Sequence, residues 1–172
     1  LTTLPTTAFD SNMCNYNRNC VPQSGTAVRL DALADRVLHR QQYRNFGDHQ
    51  TILLNHTVDA NGADRAGVRW YELRNSGGGW SIYQQGTFSP DATYRWMASV
   101  AMDGSGNIGL GYSASSSTMF PAIRYTGRLA GDPLGQMTQG ENTIMNGTGA
   151  QTHSASRWGD YSNLSVDPTD DC

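Results

Sequence analysis

Thr51-Ile-Leu-Leu-Asn-His-Thr-Val-Asp59 is an apolar run that closes on Val-Asp, and the chain writes the same design twice more. The other copies are Ala98-Ser-Val-Ala-Met-Asp103 and Asn163-Leu-Ser-Val-Asp167. Each is followed by a turn: Ala60-Asn-Gly-Ala-Asp64, Gly104-Ser-Gly-Asn107 and Pro168-Thr-Asp-Asp171. An Asp at such a point accepts hydrogen bonds from backbone amides two residues on, while Gly, Asn and Pro supply the bend. The second and third copies extend upstream to matching pairs, Arg95-Trp96 and Arg157-Trp158. A spacing of roughly 60 residues between equivalent positions suits one four-stranded propeller blade. The expected fold is therefore all-β, built of antiparallel four-stranded blades in a partial or assembled β-propeller.

The rest of the chain is divided on that basis. Residues 1–29 are rich in Thr, Asn and Pro and read as an irregular entry segment. Residues 30–172 hold about two and a half blades. In the first blade, Asp35–Arg44 reads as helix or strand and Asp31–Arg40 has helical composition, but the elements after it demand a sheet partner, so a strand is expected. His49–Asp59, Gly67–Arg74 and Trp80–Phe88 follow, with Asn75-Ser-Gly-Gly-Gly79 as a hairpin turn. The second blade is Arg95–Asp103, Asn107–Ser113, Pro121–Leu129 and an outer strand near Glu141–Met145. The small residues of Asn107–Ser113 suit a crowded propeller centre. A third unit opens at Arg157-Trp158 and lacks the rest of its blade. An orphan inner strand exposes unpaired backbone groups. Another chain, another copy, or a longer polypeptide is expected to supply the partner, with Cys172 as the candidate cross-link.

Composition narrows the class. Of 172 residues only 16% are charged, Gly numbers 19, and the net charge is −3. That is the profile of a turn-rich β protein rather than a helical bundle or a disordered tail. All 12 basic residues are Arg, and they are scattered among acids without a basic cluster, which argues against a nucleic-acid partner. No stretch has the length and hydropathy of a transmembrane helix. Cys14 and Cys20 bracket a polar loop short enough to close as a disulfide, which points to an oxidising, extracellular setting. Cys172 is left over, as expected of a thiol whose partner lies elsewhere. Of three glycosylation sequons, Asn146 in its Gly-rich turn is the one suited to carry a glycan.

Several longer runs carry a resemblance. They include Tyr43-Arg-Asn-Phe-Gly-Asp-His49, Arg69-Trp-Tyr-Glu-Leu-Arg74 and Ile82-Tyr-Gln-Gln-Gly-Thr-Phe88. Arg95–Ser117, Ile123-Arg-Tyr-Thr-Gly-Arg128 and Gln151-Thr-His-Ser-Ala-Ser-Arg-Trp-Gly-Asp160 belong with them. They resemble segments of large, uncharacterised secreted bacterial proteins, and the hairpin rhythm is similar to that of sialidase-type propellers. The resemblance implies a secreted protein and a blade architecture. It does not extend to the sialidase Asp-box: Ser99 and Asp103 are spaced differently, and no Trp follows Gly106. Sialidase catalytic residues are therefore not carried over.

In a propeller, the segments entering the inner strands open on the ligand-binding face. Here they hold Asp48 and His49, then Arg95 and Trp96, then His153, Arg157, Trp158 and Asp160. Trp faces stack on sugar rings, and Arg clamps a carboxylate or sulfate. Asp48 and Asp160 are the candidate carboxylate pair for glycoside hydrolysis. The competing explanation makes the Arg-Trp pairs structural pegs between blades. Asp59, Asn61 and Asp64 offer oxygens at calcium-like spacing, but no distal Glu follows, and self-capped turns explain them as well. Otherwise no cofactor is expected. The sequence points to a secreted, non-catalytic binding or assembly module, with a glycan as its candidate ligand. The alternative is a fragment of an extracellular propeller-type hydrolase.

Overall fold

The computed structural model describes residues 2–171. Eight strands form two antiparallel meanders, ordered β1-β2-β3-β4 and β5-β6-β7-β8. They are β1 (Gln42–Asn45), β2 (Gln50–Asp59), β3 (Ala66–Asn75), β4 (Ser81–Phe88), β5 (Tyr94–Met102), β6 (Ile108–Ser116), β7 (Met119–Arg128) and β8 (Asn142–Met145). The all-β expectation and its two four-stranded units are present. The two sheets do not by themselves close a propeller.

Alternation along each strand sets the two faces. Leu53, Val68 and Trp70 point inward from the first sheet. They meet Ala98, Val100, Met102, Ile108, Leu110 and Tyr112 of the second. Burying side chains of this size stabilises by about 1.5–3 kcal/mol each, so this interface holds the sheets face to face. A second core caps one end of the pair. There Met13, Val21, Leu30, Leu33 and Leu38 pack with Ala66, Trp96 and Met97. The entry segment is tied in by the Cys14–Cys20 disulfide, with Cα atoms 5.6 Å apart. A Val21–Leu30 bridge crosses the expected boundary at residue 29.

Two expected strands differ. Only Gln42–Asn45 of the segment 35–44 is a strand. Upstream, Leu38 is buried and its amide bonds to the Asn55 carbonyl at 2.9 Å, so this stretch caps the core instead of extending the ladder. Arg157–Asp167 also forms no strand. Residues 162–167 nevertheless follow β5. The Ser162 hydroxyl donates to the Met97 carbonyl at 2.6 Å, and the Leu164 amide donates to the Ser99 Oγ at 2.8 Å. Beyond them, the Gly104 amide meets the Asp171 carbonyl. The segment thus runs parallel to β5. Its side chains alternate, with Ser162, Leu164 and Val166 half-buried and Asn163 and Ser165 exposed. It has the direction and pleat of a third inner strand without a ladder partner among the described residues.

The three Asp turns are real, but their register differs from the repeat. Asp59 Oδ1 accepts the Asn61 and Gly62 amides, and Asp103 Oδ1 accepts those of Ser105 and Asn107. Asp167 Oδ1 accepts the Thr169 amide. The Asp59 turn lies at the capped end, beside Ala66 and Cys14. The Asp103 and Asp167 turns lie together at the other end. The first copy closes the second hairpin of its sheet, whereas the second copy closes the first hairpin of its own.

Candidate functional site

The offset of one strand separates residues that the repeat placed on a single mouth. Antiparallel neighbours start at opposite ends, so the entry to β2 and the entry to β5 open on opposite ends of the molecule. Asp48 and His49 lie in the turn after β1, whose Arg44 donates to the Met102 carbonyl. Asp160 adjoins Gly159, where an added Cβ would fall 2.6 Å from Ser113 Oγ and 3.8 Å from Met97 Cβ. The anchors Met97 and Met102 are five strand residues apart, about 16 Å at the usual rise. Glycosidase carboxylates stand about 5–9.5 Å apart, so Asp48 and Asp160 do not face each other across one mouth.

Each carboxylate has a local partner instead. Asp48 Oδ1 lies 2.8 Å from His49 Nδ1, and this bond holds the Asp48 carboxyl below the usual range. The His49 ring stacks on Phe46 at 4.9 Å. Asp160 accepts two bonds from Arg157, at 2.9 and 2.7 Å, which raise the affinity of that guanidinium for its proton. His153 is exposed, and its Nδ1 accepts the Ala155 amide.

Arg95 and Trp96 are completely buried. Arg95 donates to Glu141 Oε2 at 2.6 Å, to both Asp91 oxygens at 2.9 and 3.1 Å, and to the Thr93 carbonyl. Glu141 also accepts from Arg124 at 2.5 Å and from the Tyr112 hydroxyl at 2.8 Å. Burial would raise the Glu141 carboxyl, but these three donors outweigh it and hold the group low. The network ties β5, β6 and β7 to the start of β8. In this pair both residues sit where a structural peg would. Their twins at 157 and 158 do not, because Trp158 is only half-buried.

The calcium candidates have their oxygens engaged. Asp59 Oδ2 accepts the Asp64 amide, Asn61 Oδ1 accepts those of Ala63 and Arg65, and Asp64 Oδ1 accepts that of Cys14. Among the described residues, no three His, Cys, Asp or Glu side chains group as a metal site. Cys172 and its expected cross-link lie outside the described residues.

Trp158 lines a groove of about 390 Å³ on the outer face of the second sheet. Its floor is Ser99, Gly111 and Ser113, its far wall is Ile123 and Ile144, and its near wall is Trp158, Tyr161 and Leu164. No charged side chain lines it. Leu164 reaches the sheet because Gly109 has no side chain; a Cβ there would lie 3.2 Å from Leu164 Cδ2. Sequence reasoning found Trp158 but missed Tyr161, Ile123 and Ile144. The signal available was the alternation of small residues at 109, 111 and 113, which marks a face that another element approaches.

No family model, characterised relative or solved structure matches this chain. Among the described residues, no helix is long and apolar enough to cross a membrane.

Proposed function

We propose that the chain is a secreted, non-catalytic binding module of propeller type, and that the groove bounded by Trp158 is its binding surface. One observation carries this reading. The groove combines an open aromatic wall with a lining free of charge. Such a site favours an uncharged ligand presenting an apolar face, as a sugar ring or an apolar side chain does. The Cys14–Cys20 disulfide supports an extracellular location. The separation of Asp48 from Asp160 weighs against the hydrolase alternative.

The test is backbone amide shift mapping with neutral oligosaccharides and apolar peptides as probes. Shifts are expected at Gly111, Ser113 and Ile123 and at the Trp158 indole, with at least tenfold weaker binding after Trp158→Ala. Shifts confined to the Asp48–His49 turn, or hydrolysis of an oligosaccharide that Asp48→Asn or Asp160→Asn abolishes, would overturn it.

A further inference from the structure

His56, Arg69 and Tyr71 stand on the outward face of the first sheet, opposite to Leu53, Val68 and Trp70, yet all three are buried. The entry segment covers them. Phe9 sets its ring edge-on to the His56 imidazole, with ring centres 4.7 Å apart. Thr7 is bonded through both backbone groups. Its amide donates to Gln85 Oε1 at 3.0 Å, and its carbonyl accepts from Arg69 Nη2 at 3.3 Å. Arg69 donates in turn to Gln85 Oε1 and to the Thr87 hydroxyl. The Asp10 carbonyl accepts the Asp59 amide at 2.9 Å. Residues 5–10 are themselves exposed, so this flap adds little buried apolar area to its few polar bonds. Such an element opens locally, at a fraction of the global stability.

The imidazole beneath the flap is arranged for its neutral form. His56 Nδ1 lies 3.2 Å from the Thr57 carbonyl, which can only accept. Nδ1 therefore carries the proton, and Nε2 accepts from the Tyr71 hydroxyl at 2.9 Å. A second proton, on Nε2, reverses that bond and places a cation where no anion answers it. Around the ring, β3 supplies Arg69 and Tyr71, the flap supplies Phe9, and β4 supplies the neutral Gln85 and Thr87 that engage Arg69. Leu38 docks at the other edge of β2. The carboxylates of the adjoining segments are turned elsewhere. Asp10 Oδ1 accepts the Asn12 amide, and Asp59 accepts amides of its own turn. Burial, joined by the charge of Arg69, outweighs the Thr57 bond and holds the imidazole below its ordinary value.

We infer that the entry segment is an acid-released flap: protonation of His56 expels Phe9 and frees residues 2–10 from the first sheet while the two sheets stay folded. The device is separate from the Trp158 groove, which lies on the second sheet. Linkage fixes its direction. With the flap lifted, His56 meets water and titrates near the ordinary value of about 6.5. Between that value and the lower one of the closed state, the open-to-closed ratio rises up to about tenfold per pH unit as pH falls. Above this window the flap is fully held, and below it the ratio levels off. Opening uncovers a surface of His56, Arg69, Tyr71 and Gln85 that is sealed at neutral pH.

Amide NMR between about pH 7.5 and about pH 5 tests this on the whole chain. Heteronuclear NOEs of residues 6–9 are expected to fall toward those of a mobile segment. Exchange protection of the Thr7 and Asp59 amides, corrected for intrinsic rates, is expected to drop by up to about tenfold per pH unit. The midpoint should coincide with the titration of the His56 ring, while the shifts of Val100 and Leu110 hold. His56→Gln should keep the flap closed across the range. If that variant fails to fold, Phe9→Ala replaces it, and its His56 should titrate closer to 6.5 than in the wild type. A flap that stays ordered while His56 titrates overturns the inference. So does release at the same pH in folded His56→Gln, which would assign it to a carboxylate such as Asp10. Loss of the flap only together with the Val100 and Leu110 shifts would make it global unfolding and overturn it too, as would a Phe9→Ala chain whose His56 titrates as in the wild type.

Discussion

Glu141 is the residue on which the second sheet depends. Arg95 is buried without access to water, and its charge is tolerated because Glu141 and Asp91 face it. Removing one partner of a buried pair costs about 3–5 kcal/mol, because the remaining charge is left uncompensated. Glu141→Gln retains hydrogen-bonding capacity and should cost less, about 2–3 kcal/mol, or roughly 5–10 °C in Tm for a domain of this size. Thermal melts check this. The pH dependence has a definite sign. Burial opposes ionisation of Glu141, but its Arg and Tyr partners hold the folded carboxyl low, and Arg95 does the same for Asp91. A depressed folded pKa gives stability that is present above the unfolded value, about 4, and is lost as pH falls through the folded one. His56 adds an earlier loss. Burial lowers its pKa, so stability begins to fall below the ordinary imidazole value of about 6.5. Two-stage acid weakening is expected, with His56→Gln removing the first stage and Glu141→Gln reducing the second.

At the scale of elements, the Asp turns act as hairpin closures. Replacing Asp103 by Ala removes acceptors for the Ser105 and Asn107 amides and the Asn107 side chain. A loss of about 1–2 kcal/mol is expected, typical of a capping side chain. With the candidate calcium oxygens already accepting amides, chelator should leave the melting temperature unchanged; a rise of several degrees on adding calcium would show that the loops rearrange to bind it. Reducing the Cys14–Cys20 bridge should cost about 2 kcal/mol by loop entropy, read as a lower Tm with reductant. These turns also show what the sequence made legible. Local chemistry announced the hairpin turns at Asp59, Asn75 and Asp103, because an Asx turn is set by residues a few positions apart. It did not say which end of a sheet each turn occupies. A repeat displaced by one strand preserves all local signals yet inverts the direction, and that inversion moved Asp48 and His49 away from Trp158. Glu141 was illegible for a similar reason. Its partners come from three strands, 17–46 residues away in sequence.

For the whole molecule, the decisive contrast is between β5, which is laddered to β6, and residues 162–167, which run beside it without a ladder. Backbone hydrogen bonds to a core strand open only with large-scale unfolding, whereas unpaired amides exchange through small local motions. Hydrogen exchange should therefore divide two neighbouring parallel segments. Amides of Val100, Leu110 and Tyr112 should approach the global stability, while those of Asn163, Ser165 and Val166 exchange orders of magnitude faster. Leu164 should stand out within its segment, because its amide bonds to the Ser99 hydroxyl. The measurement separates two accounts of the third unit. Fast exchange at Asn163, Ser165 and Val166, persisting at high protein concentration, would make the segment a strap that only shields the Gly109–Ser113 face. Protection that rises with concentration would mean that a neighbouring chain completes the ladder. The third copy of the Val-Asp design would then be an inner strand whose blade is finished by assembly.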